Sequence, residues 1–141
     1  MKLVGFNFTK INIEKNKNIT PEVKISTKID VPNLKLVKSD FLNLNKEEIV
    51  GADFGFIVEY EPDFAKVEIA GNLLLALESN MAKEVLKQWE DKKMPEDFRL
   101  ALFNTILKKS SLKALQLEEE INLPLHAPLP SLRPPEPEKQ D

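Results

Sequence analysis

The chain has 141 residues, no cysteine and a formal net charge of −3 at pH 7. This length is typical of one domain that buries its own core without a disulfide or a structural metal. The missing cysteines exclude disulfides, iron–sulfur clusters and thiol nucleophiles. The charges are interspersed and lack the basic stripe that nucleic-acid binding favours.

No stretch of the sequence has the pattern of a targeting or membrane segment. The N-terminus MKLVGFNFTK lacks the long apolar run of a secretory signal. The apolar stretch NLLLALE is much shorter than the roughly 18 residues that a membrane helix needs. We therefore expect a soluble, cytoplasmic protein that does not insert into a membrane.

The first part of the chain alternates as β-strands do. Apolar residues occupy even positions in KLVGFNF and odd positions in KINIEK, so we predict a β-bulge near Thr9 and Lys10. The next strand, bracketed by Pro21 and Pro32, has one apolar and one charged face. This alternation indicates an antiparallel strand with one solvated face.

Residues 33–51 show no sustained period, and we predict a crossing segment, partly extended, with Gly51 as a hinge. Two more strands follow, with apolar residues at even positions from 52 to 60 and at odd positions from 67 to 75. The sequence EPDF between them predicts a tight turn, in which Pro62 suits the second position.

At Ser79 the apolar period changes from two to 3.6, which predicts a helix that ends at the sequence DKKM. Pro95 stands where the first turn of a second helix accepts proline, and Lys108 and Lys109 would form its basic last turn. Periodicity does not decide whether the following SLKALQLEEEIN is a further short helix or extended. Four strands followed by two helices predict an α+β fold, an antiparallel sheet with the helices packed on one face.

No pattern points to catalysis, a cofactor or a metal. His126 is isolated between prolines, and the acidic residues 59–63 and 118–120 are of a kind that is usually solvated. The glycines form no nucleotide-binding loop, and no serine lies in a nucleophile elbow. We therefore expect no enzymatic activity and no catalytic, cofactor-binding or metal-binding residues.

The sequence has more apolar side chains than one covered sheet face requires. Both parities of the last two strands carry them, and the crossing segment adds Phe41, Leu42 and Leu44. Contiguous apolar surface marks an interface or a binding groove. Association between copies of the chain and binding of apolar clients are both open at this point.

Leucines alternate with prolines in the C-terminal sequence LPLHAPLPSL, residues 123–132. Proline reduces the entropy that is lost when a segment is held extended, so the leucines between can press against an apolar surface. We predict that this segment is ordered against its own domain or a neighbouring subunit. One domain would then span residues 1–132, with a disordered tail at 133–141. The alternative is a linear motif that another protein reads.

The order of elements and several local patterns resemble the SecB family of export chaperones. VEIAGNLLLALE is similar to the family's last strand and its turn into the first helix, and MPEDFRLALFNTILKK is similar to its proline-started second helix. LPLHAPLP is similar to the LPPHIPLP-type ending of a divergent SecB-like group of archaea and some bacteria. The resemblance covers about residues 1–132.

This resemblance implies a homo-oligomer, a dimer or a tetramer, that holds unfolded or non-native polypeptide in apolar grooves without hydrolysing a nucleotide. The crossing segment would help to line the groove, together with aromatic residues of the sheet. The candidate client-binding residues are Leu34, Leu36, Phe41, Leu42, Leu44, Phe54 and Phe56.

The resemblance leaves the biological role open. Classical members dock on the export motor SecA through a cysteine-rich, zinc-binding tail, and this chain has no cysteine. A general holdase and a chaperone for one dedicated partner, such as an antitoxin, therefore stand beside a role in export. A different class of function is a structural assembly subunit, whose apolar surface is covered by its own oligomer.

Overall fold

Four long antiparallel strands form one sheet, and two helices follow them in the chain. A computed structural model describes residues 1–17, 22–37 and 47–130. The strand order across the sheet is β1-β4-β3-β2, so β1 and β2 are its edges. The elements are β1 (Lys2–Lys15), β2 (Lys24–Val37), β3 (Glu47–Glu61), β4 (Ala65–Glu78), α1 (Ser79–Trp89) and α2 (Glu96–Glu120).

One face of the sheet is apolar and carries both helices, which confirms the predicted α+β fold. Even-numbered residues of β3 between 50 and 60 and odd-numbered residues of β4 between 67 and 77 are buried. Phe56 lies opposite Ile69 of β4 and Ile29 of β2, and partners in antiparallel strands point to the same side. The helices cover this face with Ala82, Val85, Phe98, Leu102, Ile106 and Ala114.

Register shifts occur in both edge strands. The pairing of β1 with β4 shifts between Phe8 and Lys10, which confirms the predicted bulge at Thr9. The pairing of β2 with β3 shifts around Val31 and Pro32. Proline has no N–H for the ladder, and such positions are confined to edges and bulges.

The predicted crossing segment at residues 33–51 is extended at both ends, but these ends are strands of the sheet rather than a crossing connection. Residues 33–37 of β2 pair with residues 49–53 of β3, and Gly51 is a paired strand residue rather than a hinge. The bulge at Pro32 moves the apolar residues of β2 from odd to even positions. A search for one fixed alternation along the strand therefore fails. The remainder, residues 38–46, lies outside the described residues.

The second helix continues beyond its predicted end at Lys109. It is one helix to Glu120, and its buried residues recur every four positions from Phe98 to Glu118. A four-residue step advances about 40° beyond one helical turn, so the buried stripe winds around the helix. No single apolar face therefore marks the second half of α2. In the described part of the chain, no helix is long and apolar enough to cross a membrane.

Gly71 of β4 lies where the backbone of β1 approaches closely. A Cβ at this position would overlap the carbonyl oxygen of Asn7 and would stand 2.9 Å from Cζ of Phe54. On the neighbouring strand, a Cβ at Gly55 would meet nothing within 4 Å. Gly71 thus permits a contact between strands that no other residue allows.

We predict that Gly71→Ala lowers the free energy of unfolding by about 2 kcal/mol, because overpacking forces the strands apart. Gly55→Ala is the matched control and should change it little. Urea denaturation of both variants measures the difference. Equal midpoints with equal slopes would contradict the close approach at Gly71.

Candidate functional site

A groove of about 440 Å³ opens on the helix-bearing side of the sheet, between β2 and the connection from α1 to α2. One wall is an edge strand, whose outer N–H and C=O groups have no neighbouring strand in the described part of the chain. The groove is lined by Ile29, Asp30, Val31, Pro32, Trp89, Lys92, Met94, Arg99 and Phe103.

The helical wall of the groove combines apolar side chains with two cations. The Lys92 ammonium lies 4.5 Å from the ring centroid of Trp89, and the Arg99 guanidinium lies 5.3 Å from that of Phe103. Each cation is placed over an aromatic ring, a favourable arrangement. Trp89, Phe103 and Met94 are all partly exposed. A ligand with apolar side chains can therefore remove further surface from water here.

The structure places the predicted client-binding residues in three different environments. Leu36 is 40% exposed and lies on the helix-bearing face of β2, further along the strand from the groove. Leu34, Phe54 and Phe56 are at most 4% exposed and belong to the core. The other three lie outside the described residues: Phe41, Leu42 and Leu44.

The aromatic wall of the groove is assembled from residues that are distant in the sequence. Trp89, Met94 and Phe103 come from the end of α1, the connection and α2, and no local pattern joins these segments to β2. A usable signal was the spacing of four residues between Arg99 and Phe103, because residues at this spacing are neighbours on a helix surface.

After α2 the chain folds back as a strap, which we define as residues 122–130. The Glu118 carboxylate accepts hydrogen bonds from the backbone N–H of His126 at 2.8 Å and from Nδ1 of its ring at 2.8 and 2.9 Å. Nε2 of the same ring lies 2.6 Å from Oγ of Ser111. Glu118 is 0% exposed, so the prediction of a solvated acidic run is wrong there. Its burial is tolerated because its oxygens have donors.

Ser111, His126 and Glu118 have the atom order of a serine hydrolase triad but not its surroundings. Ser111 lies within α2, where the backbone N–H groups are committed to the helix and cannot stabilise an oxyanion. The His126 side chain is 4% exposed, and its ring packs against Phe56 with the centroids 5.8 Å apart. The arrangement therefore supports a structural role for the three side chains.

Tyr60 connects the strap to the sheet. Its hydroxyl donates a 2.6 Å hydrogen bond to the carbonyl oxygen of Pro124. Burial raises the pKa of Tyr60 above its ordinary value, and the nearby charge of Glu118 raises this pKa further. Both effects favour the neutral phenol that donates to the strap.

The predicted packing of the leucine–proline segment holds for the first part of the strap. Leu123 is 5% exposed and belongs to the core cluster, whereas Leu129 is 56% exposed. Residues 131 and 132 lie outside the described residues. The domain boundary at residue 132 therefore stays a prediction.

A larger cavity, of about 710 Å³, lies at the turn between β3 and β4. Its rim mixes acidic and basic side chains, such as Glu14, Lys15, Asp63 and Lys66. Within residues 1–17, 22–37 and 47–130, no group of three His, Asp or Glu residues is placed to hold a metal ion. The aromatic residues that line this cavity, Tyr60 and Phe64, are buried, whereas those of the groove beside β2 are partly exposed, so the groove is the better candidate site.

Tyr60 is the single tyrosine of the chain, so ultraviolet absorbance reports its ionisation directly. We expect it to titrate well above 10.0 in the folded protein and near that value in denaturant. Because its pKa is raised in the folded state, its contribution to stability is complete below pH 10 and is lost as the pH rises through the folded pKa. Tyr60→Phe should remove this pH dependence. Titration of the native protein at the ordinary value would contradict the buried environment.

We predict that His126→Ala lowers the free energy of unfolding by about 2 kcal/mol or more, because the buried Glu118 loses charge-assisted hydrogen bonds. Ser111→Ala removes only the outer bond to the ring and should lower it by about 1 kcal/mol. Urea denaturation compares the two variants. A loss in His126→Ala no larger than that in Ser111→Ala would contradict the central position of the Glu118–His126 pair.

Comparisons with known proteins bear on the fold. No protein-family model and no curated protein matches the chain. Among solved structures, the chain is similar to the SecB-like chaperone Rv1957 of Mycobacterium tuberculosis, in complex with a ChAD peptide from the Rv1956 HigA1 antitoxin. The match covers 96% of this chain and 92% of that chain, with a TM-score of 0.50 and 14% sequence identity. With its four-stranded antiparallel sheet followed by two helices, the chain has the SecB-like α+β fold.

Proposed function

We propose that the protein is an ATP-independent chaperone that holds non-native polypeptide in the groove between β2 and the α1–α2 connection. The observation that carries this proposal is the partly exposed aromatic wall of Trp89 and Phe103 beside an open sheet edge. The structure of similar fold contains a peptide, which gives further support. No catalytic step is part of the proposal.

Two kinds of contact would hold a client in this groove. Apolar client side chains would leave water against Trp89, Met94 and Phe103, which is worth roughly 25 cal/mol per Å² of buried apolar surface. The backbone of an extended client could pair with the outer edge of β2, a mode of recognition that tolerates many sequences. Both contacts form by burial and pairing alone, so neither requires nucleotide hydrolysis.

The breadth of client choice separates two versions of this function. A general holdase in the cytoplasm is the first version, because apolar burial selects little among sequences. A chaperone for one dedicated partner is the second, and it is favoured by the antitoxin peptide bound to the structure of similar fold. Service in protein export would be a third setting for the same groove.

We also propose that copies of the chain associate as a dimer or tetramer. Apolar residues remain exposed at the β1 edge and on α2, away from the groove. They include Val4, Ile11, Leu100 and Leu107, which are 41–51% exposed. The alternative, an assembly subunit without chaperone activity, would use such surface for association and would bind no client.

Trp89 is the single tryptophan of the chain and lies in the groove, so its fluorescence can report client binding. An unfolded polypeptide without tryptophan should change the Trp89 emission in a saturable way. Met94→Asp should weaken binding by about tenfold or more, because Met94 lines the groove and burying a methionine side chain contributes roughly 1.5–3 kcal/mol. Leu112→Asp is the control, since Leu112 is 63% exposed and does not line the groove. Equal affinities of the two variants would contradict the groove assignment.

An aggregation assay tests the general holdase directly. A chemically unfolded protein is diluted into buffer with and without this chain, in the absence of nucleotide, and light scattering is followed. We expect suppression near stoichiometric ratios. Absence of suppression by a folded oligomer that still binds an antitoxin-type peptide would instead favour the dedicated chaperone.

A further inference from the structure

The strap contacts the sheet next to the groove, at His126. The His126 ring packs against Phe56, and Phe56 is the direct neighbour of Ile29, which lines the groove. Neighbouring strands lie about 4.8 Å apart, so the strap borders the groove across one strand spacing. The groove and the surface under the strap are therefore two parts of one apolar sheet face.

The strap covers residues that would otherwise extend the floor of the groove. Phe56 is 0% exposed and Tyr60 is 1% exposed, and both contact the strap through His126 and Pro124. Both side chains point to the same side of the sheet as Ile29. Removing the strap would lengthen the groove along β3 and expose two large aromatic rings.

Most of the strap is held by a few directional bonds rather than by apolar burial. Leu123 is buried, but Leu125 and Ala127 are only partly buried, Leu129 is exposed, and the three prolines are exposed. At its start, Asn122 and Leu123 donate backbone hydrogen bonds to the end of α2, and Lys15 donates one to Asn122. The further attachments include the bonds of Glu118 to His126, of His126 to Ser111 and of Tyr60 to Pro124. On release, water can replace these partners. Such a segment can open locally while the sheet stays folded.

The strap also has the chemistry of a client. It is a non-helical chain with leucines separated by polar or proline residues, and it lies against the apolar face that we propose receives unfolded polypeptide. Proline fixes its backbone and reduces the entropy lost on docking. An unfolded chain long enough to fill the groove would next meet this segment.

We propose that the strap is an intramolecular competitor, which occupies the inner part of the groove in the client-free protein and is displaced by long extended clients. A long client then gains Phe56 and Tyr60 as additional floor, whereas a short peptide fills only the outer part beside Trp89. This proposal rests on the proposed function. In this proposal the strap makes binding depend on the length of the client, in addition to stabilising the fold.

The test uses the full chain and two independent readouts. Trp89 fluorescence measures the affinity for a long, tryptophan-free unfolded polypeptide and for a short apolar peptide of about six residues, which spans roughly 20 Å when extended. Amide hydrogen exchange of residues 122–130 measures release of the strap. In the wild type, saturation with the long client should increase this exchange at least tenfold, and saturation with the short peptide should leave it unchanged.

His126→Ala opens the strap from the start. Its exchange should be high without a client, its affinity for the long client should increase about fivefold or more, and its affinity for the short peptide should stay at the wild-type value. Ser111→Ala is a milder change, and it should increase the exchange of the strap and the affinity for the long client by smaller factors. It also provides the comparison if His126→Ala does not fold.

The outcomes separate this proposal from the proposed function. Long-client binding with an unchanged exchange rate in the strap would overturn the competitor and leave the chaperone intact. An open strap in His126→Ala without any gain in long-client affinity would do the same. If neither the wild type nor the opened variants bind any unfolded chain, the proposed function and the competitor both fail. Binding by the opened variants alone would support strong competition by the strap.

Discussion

A carboxylate without exposed surface needs hydrogen-bond donors inside the protein, and Glu118 finds them on His126. This single requirement fixes much of the C-terminal architecture. The helix α2 must continue far enough to place Glu118 under the sheet face, and the chain must then reverse so that residue 126 reaches it. Tyr60 lies beside the same carboxylate and is kept neutral, which lets it hold Pro124.

The apolar face of the sheet serves two purposes at once. Over β3 and β4 it is fully covered by the helices and by the strap, and this part is the core. Towards β2 the cover becomes incomplete, and the same face forms the floor of the groove. Core and candidate site are therefore continuous, and Phe56 lies where one becomes the other.

The sequence predicted the features that depend on neighbours in the chain. The strand alternation, the bulge at Thr9 and the change of period at Ser79 are local signals, and the structure has all three. Two irregular patterns were not recognised in the sequence. The bulge at Pro32 shifts the alternation in the second half of β2, and the buried stripe of α2 winds around the helix towards its end. The groove wall and the environment of Glu118 could not be predicted, because both join residues from separate elements.

The irregularities of the sheet are distributed unevenly. The central pairing of β3 with β4 keeps one register throughout, whereas each edge strand carries at least one shift. A long, flat edge is a template on which further chains add and aggregates grow. Here the shifts divide each edge into short runs, so an incoming strand can pair only over part of its length. The register shifts thus limit the growth of fibres from either edge of the sheet.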